Sequence, residues 1–187
     1  MTSSLITNAA GFGIVSVTSD SARSSLTVSH TQVEGGSRIG FFDVGIAALV
    51  QGSAARVQLE VFDSQIWGRL SRSGRNVMVV ASGGAHAVTR VERSLSGATG
   101  QDGIVAAVMQ SPSEINLYVH DSLIEDAGQM NIEGTLVNLK PAVPPRTNER
   151  GVTIELQGST IPHPGEISGC EDGADKVWAG GAPVAGM

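Results

Sequence analysis

Cysteine is nearly missing from this chain: Cys170 is the only one among 187 residues. No intrachain disulfide can form, so a disulfide-stapled extracellular scaffold is excluded. Aromatic residues make up 4% and charged residues 16% of the chain. The first figure demands a core of Val, Ile, Leu and Ala, and the second argues against long solvated helices. No run of Lys or Arg occurs, and 12 basic against 18 acidic residues leave a formal net charge of −6. Binding that neutralises many phosphates is not expected of such a chain, so direct nucleic-acid contact is set aside. No apolar run reaches the ~18 to 20 residues of a membrane span, and no membrane association is expected. Met1 to Ala10 carries neither a basic segment nor a long apolar one, which predicts no signal peptide. There is no Asn-x-Ser/Thr glycosylation acceptor. A soluble chain made in a reducing cytoplasm fits these absences.

What is present is glycine, at 24 residues, and a hydrophobic content of 41%. That combination suits many short strands joined by tight turns. The stretch Gly103 to Lys140 illustrates it, with β-type runs at Ile104–Met109, Glu114–His120 and Met130–Leu139. In the middle run Ile115, Leu117 and Val119 alternate with Asn116, Tyr118 and His120, which predicts a half-buried strand. Ser111-Pro112-Ser113 has turn composition, and Ser122 to Gln129 forms a longer acidic loop.

Elsewhere the same period of two appears in Gly13–Thr18, Ser24–His30 and Ala54–Phe62. The last of these places Val57, Leu59 and Val61 on one face and Arg56, Gln58 and Glu60 on the other. Val77–Ala81 is continuously aliphatic, the pattern of a strand covered on both sides. Gln65–Arg72, Ala87–Leu95 and Val152–Leu156 complete the set. Ile39–Val50 reads as a buried strand, although Phe42, Ile46 and Leu49 also match a helical face. No internal repeat of convincing period is evident.

These runs number roughly 8–10 strands, and no amphipathic helix long enough for a βαβ crossover lies between them. The fold expected is therefore all-β: an antiparallel β-sandwich, jelly-roll-like, with extended terminal arms. Residues 1–12 form the N-terminal arm, 13–157 a single sandwich domain and 158–187 an extended C-terminal arm. Pro141 to Pro145 cannot continue a ladder.

Motifs for chemistry are weak. Gly84-Ala85-His86-Ala87-Val88-Thr89-Arg90-Val91-Glu92 resembles the metal-binding motif of cupin barrels, with Val88 where the second histidine belongs; His163 could complete a set with His86 and Glu92. The bland alternative is a histidine at a strand start beside a glycine turn. No Gly-x-Ser-x-Gly elbow, phosphate-binding loop or dinucleotide fingerprint occurs. Cys170 lies between Gly169 and the acidic Glu171-Asp172, surroundings that do not favour a thiolate nucleophile. Asp121, Glu125 and Asp126 lack the spacing of an EF-hand and read as loop carboxylates. Trp67 is a candidate sugar platform, and its ordinary role would be packing at a strand edge.

No metal, cofactor or catalytic set is therefore expected, and the chain reads as non-enzymatic. Extended ends with few internal contacts are ordered by lying across a partner. That points to a structural subunit of a large assembly, and by architectural analogy to a virus-particle protein: an outer decoration, cement or protrusion protein of the virion that docks through its arms. The partners expected are further copies of the chain, a larger shell protein, or both. Candidate interaction residues are Val177, Trp178, Pro183 and Val184 in the tail, with Tyr118 on a polar strand face. The alternatives are a cupin-like metal- or small-ligand-binding barrel and a carbohydrate-binding module.

Overall fold

The computed structural model describes residues 2–7, 9, 11–35, 43–68, 74–109, 112–125, 127, 132–136, 152–159, 167–168 and 176–180. Within them the protein is a parallel β-solenoid of three sheets. Sheet I contains β2 (Phe12–Ser19), β5 (Asp43–Gln51), β8 (Gly74–Ser82), β11 (Asp102–Val108), β14 (Ile132–Leu136) and β16 (Ile167–Ser168). Sheet II contains β3 (Arg23–Ser29), β6 (Arg56–Phe62), β9 (His86–Glu92), β12 (Glu114–His120), β15 (Val152–Gln157) and β17 (Lys176–Gly180). Sheet III is narrower, with β1 (Leu5–Thr7), β4 (Gln32–Glu34), β7 (Gln65–Trp67), β10 (Leu95–Gly97) and β13 (Leu123–Ile124). No helix among the described residues is long and apolar enough to cross a membrane.

The expected antiparallel sandwich is thereby corrected. Each strand pairs in parallel with the strand one turn further along, as in β5 with β8 and β6 with β9. A parallel pair needs a crossover of a dozen or more residues, which is usually a helix, and the sequence offers none. Here the other two strands of the turn form the crossover. The estimate of 8–10 strands was low because sheet III is made of two- and three-residue strands. Leu5–Thr7, Ile167–Ser168 and Lys176–Gly180, in segments read as arms, are strands of the solenoid. The run assigned to Ile39–Val50 is strand from Asp43 onward, and residues 39–42 lie outside the described residues.

Alternation within each strand sends one set of side chains into the solenoid and the other outward. Register stacks the inward set into columns. Ile14, Ile46, Val77, Ile104 and Ile132 align in sheet I. Val28, Val61, Val91, Val119 and Leu156 align in sheet II. All of these are buried and belong to one apolar core. The first turn departs from the rule, since Ser16, Thr18 and Ser24 occupy positions filled one turn later by Ala48, Val50 and Val57. Their hydroxyls contact one another, Ser16 Oγ to Ser24 Oγ at 3.3 Å and Thr18 Oγ1 to the same atom. The interior thus becomes polar where the stack ends.

Among the described inward columns Ser96, between Ile66 and Ile124, is also polar and accepts a hydrogen bond from Asn76 Nδ2 at 3.1 Å, and Thr89 is another polar residue. It stands between Leu59 and Leu117, is fully buried, and its hydroxyl has no hydrogen-bond partner. Replacing it with the near-isosteric Val removes a desolvated hydroxyl and keeps the volume. Thr89→Val is expected to raise unfolding stability by about 1 kcal/mol, read as a higher denaturant midpoint at unchanged slope.

The corner between sheets II and III carries the clearest repeat. His30, Asp63, Arg93, Asp121 and Gly158 adopt φ values of 50°, 48°, 48°, 47° and 63° there. Each is followed by a hydroxyl residue: Thr31, Ser64, Ser94, Ser122 and Ser159. The Thr31 N–H donates to Ser64 Oγ, Ser64 N–H to Ser94 Oγ, Ser94 N–H to Ser122 Oγ, and Ser122 N–H to Ser159 Oγ, at 3.1–3.2 Å. The same hydroxyls donate back to the carbonyl two residues earlier, as Ser64 does to Phe62 and Ser94 to Glu92. This ladder satisfies the buried backbone at a corner where no sheet bond is available. Successive ladder steps span 33, 30, 28 and 37 residues. Those unequal spacings hide the repeat from a search for a fixed period.

Candidate interaction surfaces

The outward faces of the three sheets differ in chemistry. Sheet II is charged. Glu60, Arg90, Tyr118 and Glu155 form one register column. Arg90 Nη1 lies 3.8 Å from Glu60 Oε1, and its guanidinium carbon lies 5.2 Å from the centre of the Tyr118 ring. Tyr118 meets His120 edge-on at 6.1 Å, and His120 Nε2 lies 3.3 Å from Glu155 Oε1. Tyr118 therefore stands on the outward face expected for it, half-buried among ionic neighbours. Such exposed pairs contribute at most about 1 kcal/mol each, so they solubilise this face more than they stabilise it.

Sheet I is apolar on both sides. Its outward columns are Val15, Ala47, Met78, Val105 and Val17, Leu49, Val80, Ala107. This is the physical content of the both-sides-covered pattern in Val77–Ala81. Burial is uneven along the columns. Ala47, Met78, Val105 and Ala107 are buried, whereas Val15 is 46% and Val17 71% exposed. Leu5, at the start of sheet III, is 64% exposed. β1, β2 and β3 are also the outermost strands of their sheets at the same end of the solenoid, and no described strand lies beyond them.

Sheet III and its corner form a shallow polar groove. Two depressions of about 520 and 410 Å³ share Asp63 and Gln65 and together run from Ser3 and Leu5 to Asp121 and Leu123. Arg93 sits at the centre. Its Nε and Nη2 donate to the two Asp63 oxygens at 2.8 and 2.9 Å, and Nη1 contacts Glu92. The hydrogen bonds from Arg93 hold the Asp63 carboxyl below its ordinary range, and those to Asp63 raise the guanidinium further still. His30 Nε2 lies 3.9 Å from Asp63 on the other side. Trp67, two residues beyond Gln65 on β7, lines neither depression and is 41% exposed.

The remaining sequence candidates scatter. His86 and Glu92 lie at opposite ends of β9, about 20 Å apart at the strand rise, so they cannot hold one ion. His86 Nδ1 is instead 3.1 Å from Glu114 Oε2 on the next turn. Among the described residues no group of three or more His, Cys, Asp or Glu is placed to hold a metal. His163, Cys170, Asp126, Pro183 and Val184 lie outside the described residues. Asp121 is an exposed corner residue and Glu125 follows β13. Val177 and Trp178 fall in β17, in register with Ile154 and Glu155.

The corner set His30, Asp63, Arg93 and Asp121 escaped the sequence reading. The signal was there, as an aliphatic residue three positions before each hydroxyl: Val28, Val61, Val91, Val119 and Leu156 precede Thr31, Ser64, Ser94, Ser122 and Ser159. The residues preceding the hydroxyls vary because a corner constrains their backbone and leaves the side chain in solvent. The chain matches no family model, no curated protein and no solved structure.

Proposed function

We propose that the protein is a non-enzymatic structural subunit of a larger assembly, with its solenoid lying side-on against a neighbouring copy through the first turn of sheet I. The observation that carries this is the exposure of Val15 and Val17 at one end of the apolar outward face of sheet I, which is otherwise buried or half-buried. Exposed apolar side chains that extend a buried apolar face mark a surface suited to contact with another protein. The hydroxyls of Ser16, Thr18 and Ser24 make end-on stacking of two cores unfavourable, which leaves a lateral contact. The virus-particle placement rested on the jelly-roll plan and is withdrawn with it.

Magnitudes favour many weak contacts over one strong one. Covering the exposed parts of these two side chains is worth about 2–3 kcal/mol. Association of two proteins costs an estimated ~4–15 kcal/mol in lost freedom. A single contact is therefore marginal, and repetition of it makes an assembly stable. Sedimentation velocity over a concentration series is expected to show a weight-average mass that rises with concentration for the natural chain. The double variant Val15→Lys, Val17→Lys should remain monomeric throughout. A natural chain that stays monomeric, or a variant that associates equally well, would overturn the proposal.

A further inference from the structure

Five of the chain's arginines fall among the described residues, and three of them face a carboxylate. Arg75 lies 3.2 Å from Asp102, Arg90 3.8 Å from Glu60 and Arg93 2.8 Å from Asp63. The other two face each other. Arg23 opens β3, Arg56 opens β6, and they are in register across the parallel pair on the outward side of sheet II. Like charges placed directly opposite one another, at a strand spacing of ~4.8 Å, repel. Neither arginine has an ion-pair partner among the described residues. We infer that the pair is a binding site for a phosphate dianion, free or as the terminal group of a phosphate monoester.

The surroundings leave the two charges uncompensated. His86 continues the column on the next turn, and Glu114 engages it at 3.1 Å. Two residues further along the same face stand Ser25 and Gln58, both uncharged, and two beyond Gln58 the carboxylate of Glu60 is engaged by Arg90. Asp20, at the corner before β3, accepts a hydrogen bond from Ser19 Oγ at 3.3 Å. Arg56 is half-buried, and its Nη1 donates to the Ala55 carbonyl at 2.8 Å. That bond holds the guanidinium at the corner and leaves its other N–H groups unengaged among the described residues. Arg23 is exposed and supplies the second guanidinium from the solvent side.

Charge and shape decide the class of ligand. A carboxylate carries one charge, and its two oxygens match a single guanidinium fork. A phosphate dianion carries two charges and presents separate pairs of oxygens to two forks. Two unpaired arginines one strand apart therefore suit the phosphate. The site admits one such group only, because Asp20 and Glu114 flank the column and the whole chain carries −6. A nucleic-acid backbone would be repelled on either side of it.

Isothermal titration is carried out at fixed ionic strength and mildly alkaline pH, where the second phosphate proton is lost. Inorganic phosphate and phenyl phosphate are each expected to bind saturably, one anion per chain, and acetate to bind roughly tenfold or more weakly by comparison. Tighter binding of phenyl phosphate would identify an ester as the source of the group; equal or weaker binding would identify the free ion. Arg23→Gln and Arg56→Gln should each weaken phosphate binding roughly tenfold or more, and Arg90→Gln, at a position already facing Glu60, should leave it unchanged. All three side chains point outward, so circular dichroism should remain that of the parent. Phosphate should also raise the denaturant midpoint of the natural chain and not that of Arg56→Gln. Affinity should be the same at every protein concentration, which separates this site from the lateral contact. No saturable binding, equal binding of acetate and phosphate, or parental binding by either glutamine variant of Arg23 or Arg56 would overturn the inference.

Discussion

Gly52→Ala is expected to destabilise the solenoid by roughly 3 kcal/mol or more, the sum of backbone strain and overlap. Gly52 turns the chain from sheet I into sheet II at φ +117°, a region open to glycine and not to L side chains. A Cβ there would lie 2.6 Å from the Asp20 carbonyl oxygen and 2.9 Å from its Cα and N. All three are backbone atoms, and they are held in place. Asp20 N–H donates to the Gln51 carbonyl, and Gly52 N–H donates in turn to the Ser82 carbonyl. Relieving the overlap would separate turns at the corner where they stack. Urea denaturation should show a much lower midpoint at unchanged slope, while Ser53→Ala, one residue on and exposed, should change stability by less than about 0.5 kcal/mol. A loss below about 1 kcal/mol for the glycine variant would mean that the corner is not rigid.

The second large effect is expected at Ser94, a central step of the hydroxyl ladder. Its Oγ accepts the Ser64 N–H at 3.1 Å and donates to the Glu92 carbonyl at 2.9 Å. Ser94 is 5% exposed, so water does not readily replace either bond. Ser94→Ala strands a buried N–H and removes a donor from a carbonyl, a cost of about 1–3 kcal/mol. Ser94→Thr should be close to neutral, because Thr31 performs the same back-donation, to the Ser29 carbonyl at 2.9 Å. Equal losses for alanine and threonine would assign the effect to crowding, and neither losing stability would remove the ladder from the account of this fold.

Local pattern made individual strands visible and left their partners hidden. Glu114–His120 was legible residue for residue as β12, and the inward set Val57, Leu59, Val61 was legible in β6, because a period of two is a property of a few adjacent residues. Direction of pairing is not such a property. Ile46 meets Val77 and Val77 meets Ile104 across intervals that no local window spans. The three-residue strands of sheet III are too short to display a period, which is why Gln32–Glu34 is assigned to no run and Leu95 reads as the end of the run from Ala87. The groove suffered for the same reason. Trp67 was recognisable as an aromatic at a strand edge, but Asp63, Gln65 and Arg93 become neighbours only when separate turns are stacked.

The same stacking constrains how the molecule comes into being. Each strand inside a sheet hydrogen-bonds with the turn before and the turn after it, so its neighbours in space arrive from the ribosome one circuit apart. A first circuit whose interior already ends in Ser16, Thr18 and Ser24 can serve as the template on which the second is laid, and the second as the template for the third. Growth then follows the order of synthesis, N-terminus first, with a fresh edge exposed only at the newest layer.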